Sequence, residues 1–179
     1  MERAQGLLAA FLLLLSAWAI GRRLRLGHIA GTALGLGAIS LGMLGIGWIR
    51  IPPPGILWAL LLLGGAFAVR DLWEARGALA GIRLDAWTST QAGACALILI
   101  VAAAGLPALP LDYDSLEYHL GAPAAYLREG CIRPLEDNLY AAMPENQEML
   151  YLLALAATRS HVAGALAAKA INLACWMLC

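Results

Sequence analysis

The sequence predicts an all-α protein, a polytopic bundle of transmembrane helices with one long extracytoplasmic loop that contains short interfacial helices. Two observations lead to this fold class. Charged residues make up 13% of the chain and hydrophobic residues 61%, whereas soluble domains carry about 25% charged residues. The hydrophobic residues also fall into long runs that turn-forming or charged segments interrupt.

A single transmembrane domain is expected over residues 1–179. Its predicted spans lie at about 6–20, 29–49, 56–69, 92–109, 147–158 and 162–179. Because a helix needs about 20 residues to cross a bilayer, the first, third and fifth spans must recruit flanking polar residues. The segment from Arg70 to Thr90 mixes charges with apolar residues at helical spacing, which predicts a cytoplasmic interfacial helix.

The positions of the arginines predict the orientation. Arg22, Arg23 and Arg25 lie between the first two spans, and cytoplasmic loops are the ones enriched in basic residues. The later turns then alternate sides, which puts loop 110–146 outside; Arg50, at an outer end, is the exception. We therefore expect a multi-pass protein of the inner (cell) membrane.

The expected partners follow from charge and from the glycine pattern. The net charge is zero and no extended basic patch occurs, so a nucleic-acid partner is not expected. Gly27, Gly31 and Gly35 in the second span form a flat ribbon at four-residue spacing. Packing within the chain is the favoured interpretation of this ribbon, and a homo-oligomer through the second span is the alternative. Membrane lipid contacts the remaining surface.

Polar chemistry is concentrated between positions 109 and 151. This segment holds eight of the twelve acidic residues and only two of the twelve basic ones. Asp112 or Asp114 can cap the next segment, 115–129. Pro123 can start a second short helix, which Gly130 then ends. The pattern predicts short helices around a pocket at the membrane surface.

The loop carries groups that suit acid–base chemistry. On an α-helix Asp114, Glu117 and Tyr118 share a face. A partly desolvated carboxylate there can act as a general base. A second carboxylate or His119 can orient it, bind substrate hydroxyls or hold a divalent cation, although no cofactor is required by the sequence.

Structural alternatives remain open for the same residues. A helix cap accounts equally well for Asp112 or Asp114, and so does a solvated helix face for Glu117. For His119 an ordinary polar contact is the favoured interpretation. Helix N-terminal placement explains Glu145 and Glu148, whose position opposite the Asp114 group would also let them line the pocket.

The motif D-Y-D-S-L-E-Y-H-L at 112–120, followed by N-L-Y-A-A-M-P at 138–144 and E-M-L-Y at 148–151, resembles bacterial membrane glycosyltransferases of the GT-C superfamily. The similarity is to the family 39-like enzymes that use polyprenyl-phosphate sugars, and it covers about Pro107 to Lys169. The family's adjacent Asp-Glu pair is absent, because Ser115 follows Asp114. The apolar run that reaches Cys179 leads us to expect the N-terminal part of a larger enzyme, inactive by itself.

The resemblance implies transfer of a sugar from a lipid-phosphate donor to an acceptor outside the membrane. It gives Asp114 the role of catalytic base, with Asp112 as second choice. Glu117, Tyr118, His119 and Glu148 would bind substrate. Arg128 or Arg133 could contact the donor phosphate, since guanidinium matches phosphate geometry; ion pairing with carboxylates of the loop is the favoured interpretation of both. The alternatives are a transporter-like protein, which would need more polar residues in its spans, and a non-catalytic membrane subunit.

Overall fold

The computed structural model describes residues 1–25, 27–80, 110, 112–136, 138–142 and 145–178, with single positions between 93 and 108. Every regular element within these residues is helical, as predicted. The elements are α1 (Glu2–Arg23), α2 (His28–Ile49), α3 (Pro54–Ala80), a π-helical turn (Ser115–His119), α4 (Gly121–Glu129), a 3-10 turn (Leu139–Ala142), α5 (Glu148–Thr158) and α6 (His161–Leu178).

Four of these helices, α1, α2, α3 and α6, are long and apolar enough to cross a membrane. Helix α5 has only 11 residues, which is about half the length that a bilayer requires. The predicted span at 92–109 lies largely outside the described residues. The bounds of α2 and α6 agree with the predicted spans to within one residue at each end.

Two helices extend beyond their predicted ends. Helix α1 begins at Glu2, and α3 continues through Ala80, past Val69, where the predicted span ended. The extension of α3 is held by ion pairs, since Arg70 Nε lies 2.9 Å from Glu74 Oε1 one turn away. Residues 70–80 are therefore the continuation of α3 rather than a separate interfacial helix, and 81–90 lie outside the described residues.

Helix α1 is the centre of the bundle, packed against α2, α3 and α6. Small residues let the backbones come close: a Cβ on Gly35 would overlap the Ala17 carbonyl, and one on Gly21 would overlap Gly31. The Gly31–Gly35 part of the predicted ribbon is thus occupied by α1 of the same chain. A homo-oligomer through α2 stays a prediction.

Two backbone hydrogen bonds attach the polar loop to the bundle. Ile51 N donates to Gly130 O and Ile132 N donates to Gly47 O, each at 2.8 Å. Gly130 has φ 78°, a left-handed conformation that glycine adopts without steric cost, and it ends α4 as predicted. The helical break falls at Leu120, not at Pro123, which lies in the first turn of α4 where its missing N–H is tolerated.

Candidate functional site

The loop closes one end of the bundle through α4, which packs on α5. The chain enters α4 through the π-helical turn, where Leu120 N donates to Ser115 O at 2.9 Å. Such five-residue bonds widen a helical turn and are frequent at functional sites. Asp114, Glu117 and Tyr118 were predicted to share a face because of their spacing on an α-helix. The π-helical turn over Ser115–His119 replaces that spacing. Asp114 is exposed, whereas Glu117 and Tyr118 are half-buried.

His119 and Glu148 form the central polar pair. His119 Nδ1 lies 2.7 Å from Glu148 Oε1. Glu148 is only 3% exposed, so the contact supplies the partner that a buried carboxylate needs. With the Nδ1 proton held by Glu148, the other ring nitrogen, Nε2, is the basic one when the imidazole is neutral. The pair can therefore accept a proton or a hydroxyl hydrogen bond.

Tyr118 and Glu145 extend this pair. The Tyr118 ring centroid lies 4.6 Å from that of His119. Burial raises the pKa of Tyr118, and the charges of Glu148 and Glu145 add to that rise. Burial also raises the pKa of Glu145 to about 7; a hydrogen bond with Tyr126 opposes the rise and the Glu148 charge adds to it. The site therefore holds one carboxyl group, that of Glu145, whose surroundings favour the neutral form.

Asp112 and Asp114 occupy the start of the π turn. Asp112 Oδ1 accepts the Ser115 N–H at 2.9 Å, the capping role that was weighed for it. This hydrogen bond is the main reason that the pKa of Asp112 is lowered. Asp114 precedes the turn without a side-chain capping bond, so its exposed carboxylate is left for another partner. The structure brings Tyr118, His119 and Glu148 together; their role in binding substrate stays a prediction.

Two clefts meet beside the loop, and Arg128 lines both of them. One, of about 390 Å³, is largely apolar and lies between the loop and the helices α5 and α6; Leu120, Leu155 and Val162 line it, with His161 at α6's start. The other, of about 680 Å³, is polar. Its side chains include Glu117, Glu129, Glu136, Asn138 and Arg128. Leu116 and Gly121 also belong to both clefts.

A smaller polar cavity of about 140 Å³ lies behind His119. Lys169 lines it and donates to the Gly105 and Ala108 carbonyls, at 2.6 Å each. Asn172, one turn further along α6, accepts from Gln147 Nε2 at 3.2 Å. Asn172 was not predicted as a site residue, although polar residues three apart in an apolar helix are a signal that they share a face with a polar partner.

Helix α2 also reaches the site. Ser40, 1% exposed, hydrogen-bonds to Asn146, to both its backbone carbonyl and its Oδ1. This contact fixes the segment that carries Glu145 and Glu148 against the bundle. A lone serine in an apolar helix gives no sequence signal of its partner, so the contact between Ser40 and Asn146 could not be predicted.

Within the described part of the chain, no three His, Cys, Asp or Glu side chains converge in a way that could hold a metal ion. The loop carboxylates were considered as ligands for a divalent cation, and these residues provide no ligand set for one. No family model, curated protein or solved structure matches this chain.

Proposed function

We propose that the protein is a membrane glycosyltransferase of the GT-C type, which moves a sugar from a lipid-phosphate donor to an acceptor on the extracytoplasmic side of the membrane. One observation carries this proposal: Arg128 lies where an apolar cleft meets an acidic, polar cleft. A lipid-phosphate sugar has the same order of chemistry, with an apolar chain, then a phosphate, then hydroxyl groups.

Each part of such a donor has a suitable counterpart. The apolar cleft beside α5 and α6 can take the first part of the lipid chain. The guanidinium of Arg128 can bind the phosphate through paired hydrogen bonds. Glu117 and Asn138 in the polar cleft can accept or donate hydrogen bonds to sugar hydroxyls. At about 680 Å³ that cleft is within the usual range of about 300–1,000 Å³ for small-molecule sites.

The proposed base is Asp114, the role that the resemblance implies for it. Its exposure and the absence of a capping bond are compatible with contact to an acceptor hydroxyl. Asp112 already accepts a backbone hydrogen bond, which makes it the weaker candidate. Glu117, which lines the polar cleft, is the alternative base. His119, held by Glu148, and Tyr118 would orient the acceptor or the sugar.

The test is transfer of sugar from a radiolabelled polyprenyl-phosphate donor in native membranes, with each substitution introduced in the chromosomal copy. Asp114→Asn should lower turnover by at least about 100-fold, the lower bound of a general-base contribution, with little change in donor KM. Arg128→Gln should raise donor KM. Arg133→Gln is the matched control, because Arg133 is also exposed but lines neither cleft.

The outcomes separate this proposal from its rivals. Normal turnover with Asp114→Asn, and a loss with Glu117→Gln, would move the base to Glu117. If Arg128→Gln and Arg133→Gln changed the donor KM equally, the donor phosphate would not bind at the edge that the two clefts share. If native membranes show no transfer that depends on this protein, a transporter-like or non-catalytic subunit would be the better account.

A further inference from the structure

We propose that the apolar cleft between α2 and α3 binds one acyl chain of an anionic phospholipid, whose phosphate lies at Arg23. This cleft, called the α2–α3 cleft below, is separate from the loop site, and the proposal does not depend on the transferase activity. Its volume is about 450 Å³, and the residues that line its walls include Ile39, Gly42, Ile46, Leu60, Leu63 and Phe67.

The cleft has the form of a trough along the bundle. Helices α2 and α3 both pack on α1, and Ser16 and Ala19 of α1 form the floor. Along α3 the lining runs from Leu57 to Phe67, ten residues or about 15 Å of helix. A long, narrow and apolar space of this kind suits a single hydrocarbon chain better than a compact ligand.

Glycines account for the space. A Cβ on Gly42 would meet no atom within 4 Å, whereas a Cβ on Gly64 would run into Ser16. Gly64 therefore lets α3 approach α1 and deepens the floor, and Gly42 leaves the α2 wall open. An apolar groove between apolar helices is filled at low cost by lipid, since lipid tails are as apolar as the side chains around them.

Arg23 gives the cleft a polar end and selects the headgroup. Arg23 Nη1 donates to Ala19 O at 2.6 Å and to Asp71 Oδ2 at 2.9 Å, and its guanidinium carbon lies 5.2 Å from the Phe67 ring centroid. Both bonds use the same nitrogen, and the side chain is 52% exposed. Among the described residues no bond is made by Nε or Nη2, so these donors can face a phosphate.

The surrounding charge favours an anionic lipid. Arg22 and the exposed Arg25 lie in the same turn as Arg23. If this turn faces the cytoplasm, it meets the leaflet whose anionic lipids attract basic residues by about 1 kcal/mol for each Lys or Arg near the surface. A zwitterionic headgroup carries the same phosphate together with an ammonium group, which the basic turn repels. The net attraction of one arginine to an anionic headgroup therefore corresponds to about a fivefold preference over a zwitterionic one.

The experiment uses phospholipids with a photoreactive diazirine in the acyl chain. The protein is reconstituted in phosphatidylcholine vesicles that contain a trace of labelled phosphatidylglycerol or, in parallel, labelled phosphatidylethanolamine with the same chains. Adducts are mapped by peptide sequencing. Labelling of Ile46, which lines the cleft, is divided by labelling of Leu41, which is 64% exposed on α2 but does not line it. The ratio should exceed one and be about fivefold higher with phosphatidylglycerol.

Matched variants test the geometry. Gly42→Leu fills the cleft and should bring the Ile46/Leu41 ratio to that of a plain lipid-facing surface. Gly45→Leu is the control, because a Cβ there also meets nothing within 4 Å but Gly45 does not line the cleft. Both changes raise helix propensity, so neither should prevent folding. The double variant Arg23→Gln/Asp71→Asn, which leaves no buried charge unpaired, should keep acyl labelling and lose the headgroup preference.

Three results would overturn the proposal. One is a wild-type ratio equal to that of Gly42→Leu. Another is the same reduction with Gly45→Leu as with Gly42→Leu. The third is equal labelling by phosphatidylglycerol and phosphatidylethanolamine in the wild type. That result would mean that any lipid fills the cleft without headgroup selection.

Discussion

Glu145 is the residue whose ionisation should be most visible in the stability of this protein. Its Oε1 is buried without a hydrogen-bond partner among the described residues, and it lies near the charge of Glu148. Both conditions favour the protonated carboxyl group. Replacing it with Gln keeps the shape and the polar contact with Tyr126 but removes the charge.

The sign of the effect follows from proton linkage. The pKa of Glu145 is raised from 4.5 to about 7 in the folded protein, so the folded state binds more protons than the unfolded state between these values. The stability that the neutral carboxyl group contributes is therefore complete below pH 4.5 and is lost as the pH rises through about 7. Glu145→Gln cannot ionise and should not lose it.

The magnitude is limited by the partial exposure of Glu145. A fully buried group with this change in pKa would be destabilised on ionisation by about 3 kcal/mol. Solvent screening of a half-buried group reduces this to about 1–2 kcal/mol. For a chain of this size we expect Glu145→Gln to unfold about 2–8 °C above the wild type at pH 8, and at nearly the wild-type temperature at pH 4.5.

The assay is thermal unfolding in detergent between pH 4.5 and 8, followed by the intrinsic fluorescence of the six tryptophans. Glu136→Gln is the control, since Glu136 is exposed. Parallel pH profiles for the wild type and Glu145→Gln would show that Glu145 ionises normally and would refute the reasoning. A profile changed equally by Glu136→Gln would assign the effect to overall charge.

Other predictions test the fold and its orientation. On a cysteine-free background in intact cells, an impermeant thiol reagent should modify Glu136→Cys but not Leu24→Cys; the reverse pattern would invert the topology. Gly35→Ala should destabilise the bundle by about 1–3 kcal/mol in thermal unfolding, because the new methyl group meets a backbone carbonyl of α1, whereas Gly37→Ala, with open space around it, should not. Ser40→Ala should cost about 1–2 kcal/mol in the same measurement by leaving Asn146 without its donor.

The helical class and the ends of α2, α5 and α6 could be predicted because they depend on local properties. Apolar runs predicted α1, α2, α3 and α6, although the runs of α1 and α3 are shorter than the helices that contain them. Gly130 marked the end of α4 because its left-handed conformation favours glycine. The predicted third span ended at Val69 with the apolar run, whereas the helix itself continues to Ala80. Two ion pairs support the helical continuation of α3 beyond Val69. One joins Arg70 and Glu74 within α3, and the other joins Asp71 of α3 to Arg23 of α1.

The composition of the loop likewise marked the region of the candidate site, but not its internal arrangement. The resemblance implied that Asp114 is the catalytic base, and the sequence predicted that Glu148 lies opposite it. The 2.7 Å pairing of His119 with Glu148 joins residues 29 positions apart, so no local pattern specifies it. The same is true of the contact between Ser40 and Asn146, which are 106 positions apart.

The sequence by itself thus determined that this is a chain of apolar helices with one acidic loop, because hydrophobicity and turn-forming residues act over a few neighbours. Only the tertiary structure decided which groups of that loop are buried, which share a cleft, and which side chain lies between apolar and polar surfaces. Those properties depend on how α4, α5 and α6 pack. Burial and proximity, which set pKa values and binding geometry, arise from contacts between residues that are distant in the chain.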